Sequence, residues 1–319
     1  MELFRSANVD WLGKKWYFLG FSLIFSVAGI LSMLFWHHIP TGVDFKGGTM
    51  VYVKFDAAPN EEHLRSAIDK AGIHDVTISK ISGALGQVAN EEVIGLPESA
   101  TSDAHHDAGR EAVLGALSAN YHDSAFTVEQ VEIVGPTAGR QLQHQAWWAT
   151  IYSLVGMLIY LWFRFELIYG VAAVVAVFHD TLITVGAFSL VNQEITLTVI
   201  AAILTLIGYS MNDTIVVFDR IRENLASSRR ESLSDVVNRS INQTLSRTVI
   251  SSGLTFLTVL ALYAFGGEVL HGFSFALVVG ILIGTYSSIA VAAPMLVAYQ
   301  DWRMKRGKIA TLPAKRVKS

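Results

Sequence analysis

Two carboxylates stand where a bilayer-compatible sequence has no ordinary use for them. Asp213 lies in Asn212-Asp213-Thr214, within an apolar run over 195–218, and Asp180 follows His179 within another at 167–191. A charged side chain at membrane depth costs at least roughly 2.5–3.5 kcal/mol and is normally kept for a task. A carboxylate there can bind and release a proton when a cation tunes it and hydroxyls or water relay to it. Arg247 opens a third run, at 248–265, and Ser251, Thr255 and Thr258 follow it at helical spacing, one polar stripe on an apolar helix. Tyr209 and Ser210 precede Asp213 by one turn, on its face, and Asn212 and Thr214 flank it. The pattern predicts a proton-coupling pair, Asp213 with Arg247, supported by Tyr209, Ser210, Asn212, Thr214, Ser251 and Thr255. The competing reading is a structural ion pair, or an Arg247 that extends its long stem to the interface. His179 and Asp180 form a second titratable candidate at depth, with hydrogen-bonded packing as the alternative for His179.

These residues need helices that cross a membrane, and the composition supplies them. Of 319 residues 52% are hydrophobic and 16% charged, too apolar for an ordinary soluble domain. Six runs are each long enough for one crossing: 16–36, 146–163, 167–191, 195–218, 248–265 and 273–298. The first is flanked by Lys14-Lys15 and by aromatic residues at both ends. Its core is too long for a signal peptide, and His37-His38-Ile39-Pro40 lacks the small-x-small cleavage pattern, so it reads as an uncleaved span. Of the 24 Lys and Arg, 17 fall in 1–15, the turn at Arg164, the loop 219–247 and the tail 299–319. That bias predicts cytoplasmic termini and an outside domain at 37–145, periplasmic in a bacterium. Asp213 is then late in an inward span and Arg247 early in an outward one, at matching depth. Residues 232–247 read as an amphipathic helix at the cytoplasmic surface leading into the fifth span. On the sixth span Gly280, Gly284, Ser288 and Ala292 make a small-residue stripe suited to close helix packing.

The outside segment alternates elements in the order strand, helix, two strands, helix, strand. The strands are 50–55, 76–81, about 87–94 and 126–134, and the helices are 61–71 and 104–121, the first capped by Asn60. This order predicts a ferredoxin-like α+β domain with both helices on one sheet face. Residues 97–103 read as a loop.

Other chemistry finds little support. The chain has no G-x-x-x-x-G-K-[ST], G-x-S-x-G or H-E-x-x-H. Cysteine is absent, which excludes a disulfide framework, a thiol nucleophile and a Cys-based metal site. The pairs His37-His38 and His105-His106 lack further ligands at useful spacing. The expectation is a transport protein, not an enzyme, with no cofactor, no metal and no nucleic-acid partner. The residues alone leave open a gradient-coupled transport subunit, an exporter of small molecules or lipids, and a scaffold that stabilises a channel without coupling.

Three stretches carry a family resemblance. Gly42-Val43-Asp44-Phe45-Lys46-Gly47-Gly48-Thr49 is similar to the D-F-x-G-G-T lead-in to the periplasmic domain of the SecD/SecF protein-export family. Gly135-Pro136-Thr137-Ala138-Gly139-Arg140-Gln141-Leu142 resembles that family's passage into the second span, and Gly208 to Asn224 resembles its long motif around the buried Asp. The match covers nearly the whole chain; the part from about 83 to 106 has no residue-by-residue counterpart. The resemblance implies the RND superfamily, in which a proton gradient drives periplasmic domains. It implies Asp213 as the proton-responsive carboxylate, Arg247 as its partner, and Asp44, Phe45, Gly47, Gly48, Thr49, Gly135, Pro136 and Gly139 as motif positions. The implied partners are SecD as the missing half, the SecYEG translocon, SecA, YajC, YidC, a translocating polypeptide and the lipids of a bacterial inner membrane. Whether protons or sodium ions couple stays open.

Overall fold

The computed structural model describes residues 8–74, 76–80, 90–97, 108–165, 167–227 and 231–306. Helix α1 (Lys15–Leu31) runs on through a π-helical turn, Ser32–Trp36. A single turn, α2 (Val43–Lys46), precedes the extramembrane domain: β1 (Gly48–Phe55), α3 (Glu61–Lys70), β2 (Thr77–Lys80), β3 (Glu91–Pro97), α4 (Ala108–Asn120) and β4 (Phe126–Val134). Helices α5 (Pro136–Arg164), α6 (Leu167–Val191), α7 (Leu197–Ser227), α8 (Leu233–Phe265) and α9 (Gly267–Ser287) follow. A second π-helical turn, Ser288–Ala292, joins α9 to α10 (Ala293–Lys305).

The sheet order is β2-β3-β1-β4 with every neighbouring pair antiparallel, the ferredoxin-like arrangement expected from the element order. Alternation along β1 decides its faces. Val51, Val53 and Phe55 point into a core closed by Leu64, Ala67 and Ile68 of α3 and Val113, Ala116 and Leu117 of α4. Met50 and Tyr52 point the other way and line a cavity of about 650 Å³ between the sheet and the ends of the membrane helices. The Asn60 side chain caps α3, accepting from the N–H groups of Glu62 and His63 at 3.0 and 3.4 Å. Of the stretch 83–106, only 90–97 lies within the described residues, so the His105-His106 pair and the loop expected at 97–103 fall almost wholly outside them.

Among the described residues six helices are long and apolar enough to cross a membrane: Lys15–Trp36, Thr137–Arg164, Ile168–Val191, Leu197–Ser227, Leu233–Phe265 and Leu270–Tyr299. The third, fourth and sixth form the centre of the bundle, and the second is almost entirely exposed on this chain. Three of the helices are longer than the apolar runs suggest; α7 runs on to Ser227, into the segment expected to be loop. Pro136 stands in the first turn of α5, where its missing N–H is no loss, so the helix starts at the end of β4 rather than at 146. The amphipathic segment at 232–247 and the fifth span form one unbroken helix, α8, capped by the Ser232 hydroxyl on the Asp235 N–H. Its buried stripe of Val237, Ile241, Leu245, Thr248 and Ser252 crosses the expected boundary without interruption.

Close approach replaces side-chain bulk at the α1–α6 contact. A Cβ on Gly186 would stand 2.7 Å from the Gly29 Cα. One turn further out, the Ser32 and Ser189 hydroxyls are 2.8 Å apart, and His37 Nδ1 donates to the Ser189 carbonyl at 2.8 Å. The small-residue stripe of the last span does the same against α7: Gly280 faces Leu206 and Gly284 faces Ser210.

Candidate functional site

Asp213 is 5% exposed, on the inner face of α7. Its Oδ2 accepts from Ser252 Oγ of α8 at 2.5 Å and from Thr285 Oγ1 of α9 at 3.4 Å, so the carboxylate joins three spans. Hydroxyl donors of this kind hold a carboxylate without neutralising it, which leaves its charge free to respond to an ion.

Asp180 makes a second junction. It is 1% exposed; its Oδ2 accepts from Ser210 of α7 at 2.5 Å and Ser287 of α9 at 2.8 Å. Its Oδ1 is 2.9 Å from His179 Nδ1. The two carboxylates thus grip the same pair of helices, because Ser210 precedes Asp213 by one turn and Thr285 precedes Ser287 by two residues.

Arg247 stands apart from this arrangement. Among the described residues no ion pair links it to Asp213; its side chain is exposed, within electrostatic reach of the carboxylate but not in contact. Ser251 and Thr258 are exposed too, and the Thr255 hydroxyl turns back to the Ser251 carbonyl at 3.1 Å. The direct pairing expected from spacing is therefore replaced by the Ser252 contact. One residue turns an α-helix by about 100°. The face of α8 that meets α7 carries Thr248 and Ser252, so the neighbouring stripe 247–251 looks outward. Tyr209, at 41% exposure, and Asn212 likewise leave the inner face of α7, while Ser210 and Thr214 are buried. Ser252, Thr285 and Ser287 were not among the candidates. The apolar stripe of 236–245, carried forward at helical spacing, reaches 248 and 252 and would have found Ser252. Thr285 and Ser287 had no comparable signal, since hydroxyls scattered in an apolar span satisfy themselves on the carbonyl one turn back.

The motif residues tie the extramembrane domain to α7. Asp44 Oδ2 accepts from the Leu197 N–H at 2.8 Å, capping the first turn of α7 from a distant part of the chain. Beside it the Gly42 N–H donates to the Ile195 carbonyl and the Ile195 N–H to that of Pro40. Gly139 lies against the Phe45 carbonyl and the Gly47 nitrogen, so the lead-in and the passage out of the domain pack on each other. Gly135 and Pro136 start α5 there, Gly48 and Thr49 open β1, and Thr49 is buried against Gly109. Glu194 lines the same junction, and burial pushes its carboxyl above the usual range; Lys46 opposes that shift and Asp44 adds to it.

Comparison with known proteins settles the family. Residues 114–302 match the model of "Protein export membrane protein SecD/SecF, C-terminal". The chain belongs to the SecD/SecF protein-export family. Within that family it is 52% identical to the protein translocase subunit SecF of Koribacter versatilis, over 97% of this chain and 96% of the relative. It is 41% identical to SecF of Calditerrivibrio nitroreducens, over 96% and 99%. Its fold matches the crystal structure of SecDF, a translocon-associated membrane protein from Thermus thermophilus. The TM-score is 0.82 at 35% identity, over 94% of this chain. A structure of SecDF in the super-membrane-facing form matches with a TM-score of 0.68 at 36% identity, so this chain's arrangement is nearer the first. In both cases the chain spans 40% of the SecDF chain it matches. SecD/SecF members are transport components, and the likeness to SecDF supports a SecD-type partner for this one.

Proposed function

We propose that this chain is the SecF half of a SecDF assembly in a bacterial inner membrane, using an ion gradient to help draw exported polypeptides across it. The observation that carries this is the buried Asp213 on a helix whose first turn is capped by the extramembrane domain. A change in the charge of Asp213 bears directly on α7, and α7 bears on the domain through Asp44. Asp213 is the ion-responsive group, proton or sodium, and Arg247 acts on it across a gap that the other half of the assembly completes. The exposed stripe of Arg247, Ser251 and Thr258 supports that reading, since polar groups facing lipid would be costly and a partner helix would cover them.

The distribution of Lys and Arg supports cytoplasmic termini and a periplasmic α+β domain. SecD is the direct partner, and the SecYEG channel, SecA, YajC and YidC are the wider machinery. The role is transport rather than catalysis. Complementation tests it: in cells lacking their own SecF, this chain with its SecD partner restores release of a secreted protein. Persistent precursor accumulation, with both subunits inserted at normal levels, counts against the assignment.

A further inference from the structure

Asp180 has more hydrogen-bond donors than Asp213, yet the reading of Asp213 makes no use of it. Three side chains converge on it from two neighbouring spans and its own: Ser210, Ser287 and His179. Ser287 is the last residue of α9 before the π-helical turn Ser288–Ala292. The hydroxyls there also serve the backbone, Ser287 donating to the Gly284 carbonyl at 3.2 Å and Ser288 to that of Thr285 at 2.9 Å. A π-helical turn is a local departure from the regular ladder that recurs at functional sites. It needs something to fix where it occurs. Directly opposite, α7 and α9 touch almost backbone to backbone, a Cβ on Gly284 standing 3.1 Å from the Ser210 Cβ.

We propose that Asp180 is a positioning residue: by clamping Ser210 of α7 to Ser287 of α9 it sets the register of the last span and holds Thr285 against Asp213. This rests on the reading of Asp213 as the ion-responsive group. What the clamp requires of Asp180 is an acceptor oxygen towards the two serines, not a charge that changes during the cycle. Asparagine supplies that oxygen. Its amide N–H can donate to His179 Nδ1 once the imidazole proton moves to Nε2, a buried atom with no hydrogen-bond partner among the described residues.

The test uses the complete chain with its partner in proteoliposomes, and two readouts. One is gradient-driven export. The other is the rate of disulfide formation between Leu206→Cys and Gly280→Cys, positions in contact across α7 and α9 in a chain with no cysteine of its own. Asp180→Asn keeps export within about threefold and cross-links normally, whereas Asp180→Ala loses at least about tenfold in export and cross-links more slowly. Ser210→Ala with Ser287→Ala behaves like Asp180→Ala, and decides the matter if that variant does not accumulate. An Asp180→Asn chain as inactive as Asp213→Asn overturns the proposal, because the charge would then be what matters. Wild-type export and cross-linking in Asp180→Ala, or in the double serine variant, overturns it as well. Asp213→Asn in the same assay loses export but cross-links normally, so export by that variant refutes the ion-responsive reading alone.

Discussion

Ser252 Oγ stands 2.5 Å from the Asp213 carboxylate across the α7–α8 contact, while Arg247, five residues earlier on α8, faces outward. The immediate partner of the buried acid is thus a neutral hydroxyl, and in the proposed function the cation acts at a distance. That division gives each residue a different mutational signature.

Removing a hydrogen bond to a charged group costs about 1.5–3 kcal/mol. Ser252→Ala therefore lowers gradient-dependent export by about tenfold or more. Thr285→Val, which loses a contact of 3.4 Å, costs no more than about threefold. Rates of precursor translocation into energised membrane vesicles measure both, and equal effects would contradict the geometry.

Arg247 separates stability from function. It is exposed and makes no ion pair among the described residues, so Arg247→Gln leaves the unfolding free energy in detergent within about 0.5 kcal/mol. Export by the assembled complex falls all the same. A large drop in melting temperature for the isolated chain would show that Arg247 is structural here.

Asp44→Ala removes the cap of α7 and costs about 0.5–2 kcal/mol, and Asp44→Asn, which keeps an acceptor oxygen, costs less. Hydrogen exchange at the first turn of α7, from Leu197, reports it locally. Unchanged protection in Asp44→Ala would mean that the cap contributes nothing to that helix.

Glu194 gives a pH signature outside the spans. Burial raises its folded-state pKa above the ordinary value of 4.5. The folded chain then holds the proton more tightly than the unfolded one, so stability falls as pH rises from about 4.5 through the folded pKa. Glu194→Gln removes that dependence, giving a chain more stable than wild type at neutral pH, with the gain vanishing below pH 4.5. Parallel pH–stability curves for the two chains would rule this out.

Much of the architecture was legible because it follows from periodicity. Runs of apolar residues marked the spans, and the order of strands and helices marked the ferredoxin-like sheet, while the alternation that sets the covered face of β1 came from the folded chain. The site was only half legible. Asp213 and Asp180 announced themselves as charges in apolar runs, and Ser210 lies where the helical face put it while Tyr209, placed on the same face, is exposed. Arg247, Ser251 and Thr255 were chosen by spacing on one helix, and spacing cannot say which of two adjacent stripes faces a neighbour. The packing of α8 as one continuous helix decided that, in favour of Thr248 and Ser252. Asp44 was legible as a motif residue, but its bond to Leu197, 153 positions away, exists only in the folded chain.

The central claim is that Asp213 couples an ion gradient to export, and the direct measurement is export by the reconstituted complex with and without an ionophore that collapses the gradient. Collapse is expected to reduce wild-type export to the level of Asp213→Asn, and to leave Asp213→Asn unchanged. An Asp213→Asn complex that exports at the wild-type rate and still slows when the gradient collapses would contradict the account.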